Sequence, residues 1–193
     1  MDVSVRHFAR FGFRKTSLTE IATELGVVKG ALYYYFPGGK SELFDATSVR
    51  IETEILARIE CAVAAEKDAR HALRALFATK YREIRTQLQK LAVTPSIARE
   101  LVAERQRSRG FRDAECELIQ RTLAQGERER VFRRFRPRAA AAAAVQAMFD
   151  APLVEAALAA APDDDDTLPL HAVFFDILID GLSSGKVPPR SSH

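Results

Sequence analysis

Hydrogen-bonding and charged side chains gather in Gly-Val-Val-Lys-Gly-Ala-Leu-Tyr-Tyr-Tyr-Phe-Pro-Gly-Gly-Lys-Ser-Glu-Leu-Phe, residues 26–44. Three phenolic hydroxyls, two ammonium groups and a serine hydroxyl make this stretch rich in donors for anions. It holds no nucleophile paired with a base, and no nucleophile elbow, phosphate loop or zinc motif occurs elsewhere. His7, His71, His171 and His193 are scattered, and Cys61 and Cys116 have no partner at metal spacing. The two cysteines are expected to be packed free thiols, with redox sensing as the alternative. Recognition is therefore expected rather than catalysis: no enzyme, no metal and no cofactor.

The elements around this stretch sort its rings. Ser17 followed by Glu20 predicts a capping box that opens a helix with Leu18, Ile21, Ala22 and Leu25 on one face. Gly26 suits the left-handed turn that ends it, and the chain restarts as a helix at Lys29. Two helices on a short glycine turn form a helix-turn-helix, which lays its second helix in the DNA major groove. At 100° per residue, Val28, Leu32, Tyr35 and Phe36 fall on the side predicted to face the core. Lys29, Gly30, Tyr33 and Tyr34 fall on the other, with Ala31 between. That second side is basic, aromatic and small, as contact with phosphates and base edges requires.

The rest of the chain reads as helix. Leu73, Leu76, Phe77, Tyr81, Ile84, Leu88 and Leu91 recur at threes and fours, as do Phe44, Ile51, Ile55, Ile59 and Val63. Gly12, the Pro37-Gly38-Gly39 run, Pro95, Gly110, Gly126 and Pro137 punctuate an all-α chain of about nine helices, with a kink or split at Pro152. Residues 161–169 with their four aspartates predict a solvated loop, and the last helix, apolar on more than one face, predicts central core or an oligomer contact. The 193 residues are 47% hydrophobic and 28% charged, a globular balance. No signal peptide or membrane-length apolar run is read, so a cytoplasmic location is expected. The net charge of +3 divides as +1 over residues 1–45 (6 basic, 5 acidic), +8 over 46–138 (21, 13) and −6 over 139–193 (2, 8). A basic body with an acidic end is compatible with nucleic-acid binding at one end.

Residues 3–43 resemble the TetR family of bacterial transcription regulators. Phe-Ala-Arg-Phe-Gly-Phe-Arg-Lys-Thr-Ser-Leu-Thr-Glu-Ile-Ala-Thr-Glu-Leu-Gly-Val-Val-Lys-Gly-Ala-Leu-Tyr-Tyr-Tyr-Phe is similar to its amino-terminal signature. Phe-Pro-Gly-Gly-Lys-Ser-Glu-Leu is similar to its link into helix four. The resemblance implies base-edge contacts from Lys29, Gly30, Ala31 and Tyr33. It implies phosphate contacts from Ser17 or Thr19, from Tyr34 and Tyr35, and from Lys40, although the helical wheel turns Tyr35 inward. The chain departs from the pattern at Val28, where many members have a Ser or Thr cap, and in a first helix a turn or two shorter.

The resemblance further implies a ligand-responsive repressor that binds a palindromic operator as a homodimer. The layout becomes a helix-turn-helix domain over 1–45, an effector-binding and dimerisation domain over 46–186, and a disordered tail over 187–193. Val145, Met148, Phe149 and Leu153, with Phe174, Phe175, Ile177, Leu178 and Leu182, are the expected dimer interface, with a monomer core as the alternative. A small apolar effector is expected among Phe77, Tyr81, Ile84, Leu88, Leu101, Cys116, Ile119 and Leu123. The twelve arginines from Arg99 to Arg138 are expected to form a solvated face, with an anion-binding surface as the alternative. A helical small-molecule-binding or adaptor protein with impaired DNA binding is the rival reading.

Overall fold

The computed structural model describes residues 2–105, 110–159 and 168–183, and the side chains of these except at 105, 151–159, 168–172 and 174. Within them lie nine helices: α1 (Asp2–Lys15), α2 (Leu18–Glu24), α3 (Lys29–Tyr35), α4 (Gly39–Ala64), α5 (Ala69–Lys90), α6 (Pro95–Arg105), α7 (Gly110–Arg128), α8 (Arg138–Ala159) and α9 (Leu168–Leu182). The only extended pairing among the described residues is an isolated bridge between Phe132 and Ser183. The all-α expectation holds. The predicted aspartate loop and tail fall almost wholly outside the described residues.

Two apolar cores account for most of the packing among the described residues. The smaller joins Phe8 of α1, Leu18, Ile21 and Ala22 of α2, Leu32 of α3, and Leu43 and Phe44 of α4. Phe44 meets Phe8 and Phe13 edge-on, with ring centroids 5.0 and 5.2 Å apart. The larger joins α4, α5, α7, α8 and α9 around Ile59, Leu73, Leu76, Ile119 and Leu123, all fully buried. α4 serves both cores, with Leu43 and Phe44 at one end and Ile55 and Ile59 at the other. The expected boundary at 45/46 thus falls inside a continuous helix.

Inside the larger core sits a buried polar cluster. The Lys80 ammonium lies 2.6 Å from Glu115 Oε1 and 2.5 Å from Asp150 Oδ1. Gln146 Nε2 donates to Glu115 Oε2 at 2.8 Å and to the Arg112 carbonyl at 2.9 Å. Lys80 and Glu115 are almost wholly shielded from water, so each needs the other to offset its desolvation. The cluster fixes the register of α5, α7 and α8 against one another.

Several local expectations are corrected. Ser17 occupies the N-cap of α2, but its hydroxyl makes no capping bond, so the capping box does not form. The neighbouring Thr16 is buried and ties the junction instead, donating to the Gly12 carbonyl at 2.6 Å. Gly126 does not end α7. It lies within the last turn, where a Cβ would stand 2.0 Å from the Phe132 ring. The turn is made by Arg130, at φ 60, with the Val131 amide returning to the Gly126 carbonyl at 3.0 Å. α8 runs through Pro152 to Ala159 without being split.

Candidate functional site

α2 ends in a Schellman motif. Gly26, at φ 69, lets its amide reach the Thr23 carbonyl at 3.1 Å and the Val27 amide reach the Ala22 carbonyl at 2.9 Å. This sharp reversal launches α3, which is only seven residues long. Leu32 alone of α3 is fully buried, with Phe36 half-buried just beyond it. One anchored edge leaves most of the helix facing water. Lys29 and Gly30 are exposed, Tyr33, Tyr34 and Tyr35 are 46%, 80% and 71% exposed, and Ala31 is partly so. Nothing lies within 4 Å of a Cβ built at Gly30, so its backbone is open to close approach.

The wheel reading fails at two positions. Val28 is 76% exposed because, as N-cap, its backbone is extended and off the helical phase. Tyr35 is exposed because a two-turn helix packed through Leu32 and Phe36 has no second row of neighbours to cover its last turn. Its ring instead meets Tyr34 edge-on at 5.3 Å. Lys29 is held over the Tyr33 ring, 5.8 Å from the centroid, a cation–π placement on the outer face. Thr19 is exposed and Ser17 half-buried at the start of α2.

Lys40 is placed differently from its neighbours. Its ammonium donates to the Arg14 carbonyl at 3.0 Å and the Thr16 carbonyl at 3.2 Å, and lies 4.9 Å from the Phe13 ring centre. It therefore closes the end of α1 as a structural cation. The other face of α1 is clamped to α2 through Glu24, which accepts from Arg6 and contacts His7 Nε2 at 2.7 Å. The Arg6 hydrogen bond, reinforced by His7, lowers the pKa of the Glu24 carboxyl.

A second feature joins the front module to the helical body. α1, α4, α5 and α6, with Val93 of the link between the last two, line a half-open cavity of about 160 Å³. Of the residues expected to hold an effector, Ile84, Leu88 and Leu101 line it. Phe77, Ile119 and Leu123 belong to the larger core, Phe77 stacked on Phe149 at 3.4 Å, and Cys116 packs against that core. Tyr81 is buried beside Ile84 and Leu88. Helical spacing alone cannot separate a residue that faces a void from one that faces a packed neighbour. Missed altogether were Val5, Phe8 and Ala9 of α1 and Val102 of α6, which also line the cavity.

Beside the cavity, Glu100 of α6 accepts the Arg14 amide at 2.7 Å. A Cβ at Gly12, whose φ is 74, would stand 2.8 Å from that carboxylate. No sequence signal announced this contact, which depends on α6 folding back along α1.

The expected dimer residues divide. Val145, Phe149, Phe175, Leu178 and Leu182 are buried in the chain's own larger core. Met148 and Ile177 are 46% and 65% exposed, and the side chains of Leu153 and Phe174 lie outside those described. Val173, 57% exposed, joins Ile177 on the same face of α9. On α8 the exposed side chains Ala140, Ala143, Ala144, Ala147 and Met148 make a smooth apolar strip. Arg112, Arg121, Arg128, Arg133, Arg134 and Arg136 are exposed, as a solvated face requires, and Arg105, Arg107 and Arg109 lie outside the described side chains.

A glycine-turned helix pair presenting a basic aromatic helix, set on an all-α body, is a helix-turn-helix arrangement. Residues 1–47 match the family model for "Bacterial regulatory proteins, tetR family", and the front of this chain is a TetR-family module. It is 44% identical over 43 residues to the transcriptional regulator LmrA of Bacillus subtilis (strain 168), covering 22% of this chain and 23% of that one. It is 28% identical over 103 residues to the transcriptional repressor KstR2 of Rhodococcus jostii (strain RHA1), covering 53% and 50%. The matched stretches thus span half or less of these relatives. The fold is similar to that of the transcriptional regulator FadR from Bacillus subtilis in complex with stearoyl-CoA, with a TM-score of 0.68 at 16% identity over 94% of this chain and 96% of that one. No described helix is long and apolar enough to cross a membrane.

Proposed function

We propose that the chain is a dimeric, ligand-responsive transcriptional repressor that binds a palindromic operator and releases it when a small apolar effector binds. The observation that carries this reading is the outer face of α3, where Lys29, Gly30, Tyr33 and Tyr34 stand exposed on a helix anchored by Leu32. Base edges would be met by Lys29, Gly30, Ala31 and Tyr33. Phosphates would be met by Ser17 or Thr19, Tyr34 and Tyr35. Lys40, expected at a phosphate, supports the reading by holding the α1–α2 junction in place.

One such helix reads few base pairs, so useful affinity needs two copies with half-sites about 34–36 Å apart. The exposed strip of α8, with Val173 and Ile177 of α9, supplies a surface through which two helices from each copy would pair. The test is selection of bound duplexes from a random pool. A near-palindrome whose affinity falls steeply with salt is expected. Failure to enrich any duplex would favour a helical small-molecule-binding or adaptor protein.

A further inference from the structure

We propose that the effector is a compact, uncharged, apolar molecule of about single-ring size, seated between the DNA-reading module and the helical body. The proposal rests on the ligand-responsive reading above and names the ligand class and its place. Three observations carry it.

The first is size. A cavity of about 160 Å³ is close to the engineered cavity of about 150 Å³, lined by Leu, Ile and Phe, that takes up benzene. The second is chemistry. The walls carry no charged side chain, and only Thr47, Ser48 and Gln87 bring polar side chains to them. The Thr47 hydroxyl is already committed to the Leu43 carbonyl at 2.7 Å. A carboxylate or phosphate placed there would lose its hydration with no cation in return, whereas an apolar ring loses nothing. Ser48 and Gln87 leave room for one neutral polar substituent.

The third is position. Phe8 belongs at once to the module core and to the cavity wall, and Leu101 of α6 packs against that same core. Next to Leu101, Glu100 holds the Arg14 amide just beyond Gly12, where non-helical backbone angles kink α1. An occupant therefore touches α1 and α6 together and favours whichever spacing of the two leaves it room. Differential affinity for those spacings is what a release mechanism requires.

The test titrates the full chain, without DNA, with toluene and with indole, against decanoate as the charged amphiphile. Calorimetry should show saturable binding of the two rings at one per chain and none of decanoate. Methyl resonances of Ile51 and Ile84, on the wall, should shift at saturation while those of Ile119, in the larger core, stay fixed. Val102→Phe and Ser48→Leu, which fill the cavity from α6 and from α4, should each weaken binding at least tenfold with the far-ultraviolet helical signal retained. Absent ring binding, decanoate binding in its place, or shifts at Ile119 without shifts at Ile51 and Ile84 would overturn the proposal; so would full-strength binding to either folded variant. The methyl shifts in the parent chain decide the matter should both variants unfold. Because no duplex is present, a negative result leaves the operator reading standing. Ring binding by a chain that selects no duplex would instead sink the operator reading alone.

Discussion

Lys29 and Lys80 are chemically the same side chain in opposite settings. Lys29 stands in water over Tyr33, with its charge available to a partner. Replacing it by Ala should leave the fold untouched and relax base preference at one or two operator positions, costing about 1–3 kcal/mol at the preferred base. Repeating the duplex selection with the variant measures this directly. Lys80, buried against Glu115 and Asp150, is the reverse case. Lys80→Met removes the cation and strands two carboxylates, so it should destabilise the chain by about 3–5 kcal/mol in urea unfolding. The sequence marked Lys29 by its place in the helix-turn-helix, but nothing marked Lys80. Lys80 sits among Leu76, Phe77 and Tyr81 at helical spacing, but one lysine more or less in a charged chain carries no warning. Tyr35 makes the same point in the other direction. Periodicity assumes neighbours on every inward side, and α3 is too short to have them.

Helix identity was legible almost throughout, because apolar spacing and Gly or Pro punctuation are local signals. The ends were less so. Gly26 works as a turn residue, as its sequence context indicates, whereas Gly126 is a packing residue inside α7. Gly126→Ala forces a methyl onto the Phe132 ring and should lower stability by about 1–3 kcal/mol, as overpacking does, in the same unfolding measurement. The capping box failed for a related reason, since a Ser-x-x-Glu pattern states that bonds are available and not that they form. The joint between α1 and α2 instead depends on Glu24, whose pKa is lowered chiefly by its hydrogen bond to Arg6 and then by that to His7. A carboxyl with a depressed folded pKa contributes stability fully above its ordinary value of 4.5, and that contribution is lost as the pH falls through the lower folded value. Thermal unfolding should therefore show the chain losing stability on acidification below about pH 4.5. Glu24→Gln should flatten that slope.

Residues that recognise across helices were the hardest to foresee. The cavity borrows walls from four helices, and only Ile84, Leu88 and Leu101 of the expected effector set reach it. The expected dimer set divides for a different reason. α8 and α9 have apolar residues all round, and five of the nine proposed side chains were needed inside. Among the described side chains, Met148, Val173 and Ile177 stand outside beside the alanine strip of α8. Ile177→Glu places a charge in the middle of that surface while disturbing no buried neighbour. Sedimentation should show a dimer in the parent and a monomer in the variant, with operator affinity lost in step. An unchanged sedimentation coefficient would move the pairing surface elsewhere.

α4 belongs to both cores and contains no internal break. At about 1.5 Å per residue its 26 residues make a rod of roughly 39 Å. Pivoting that rod by about 5° at its body end carries the front end sideways by roughly 3.4 Å, one base-pair step of the double helix. In a paired operator-binding protein of the kind proposed, so small an angular change would be geared up into a full step of misregister between two reading heads.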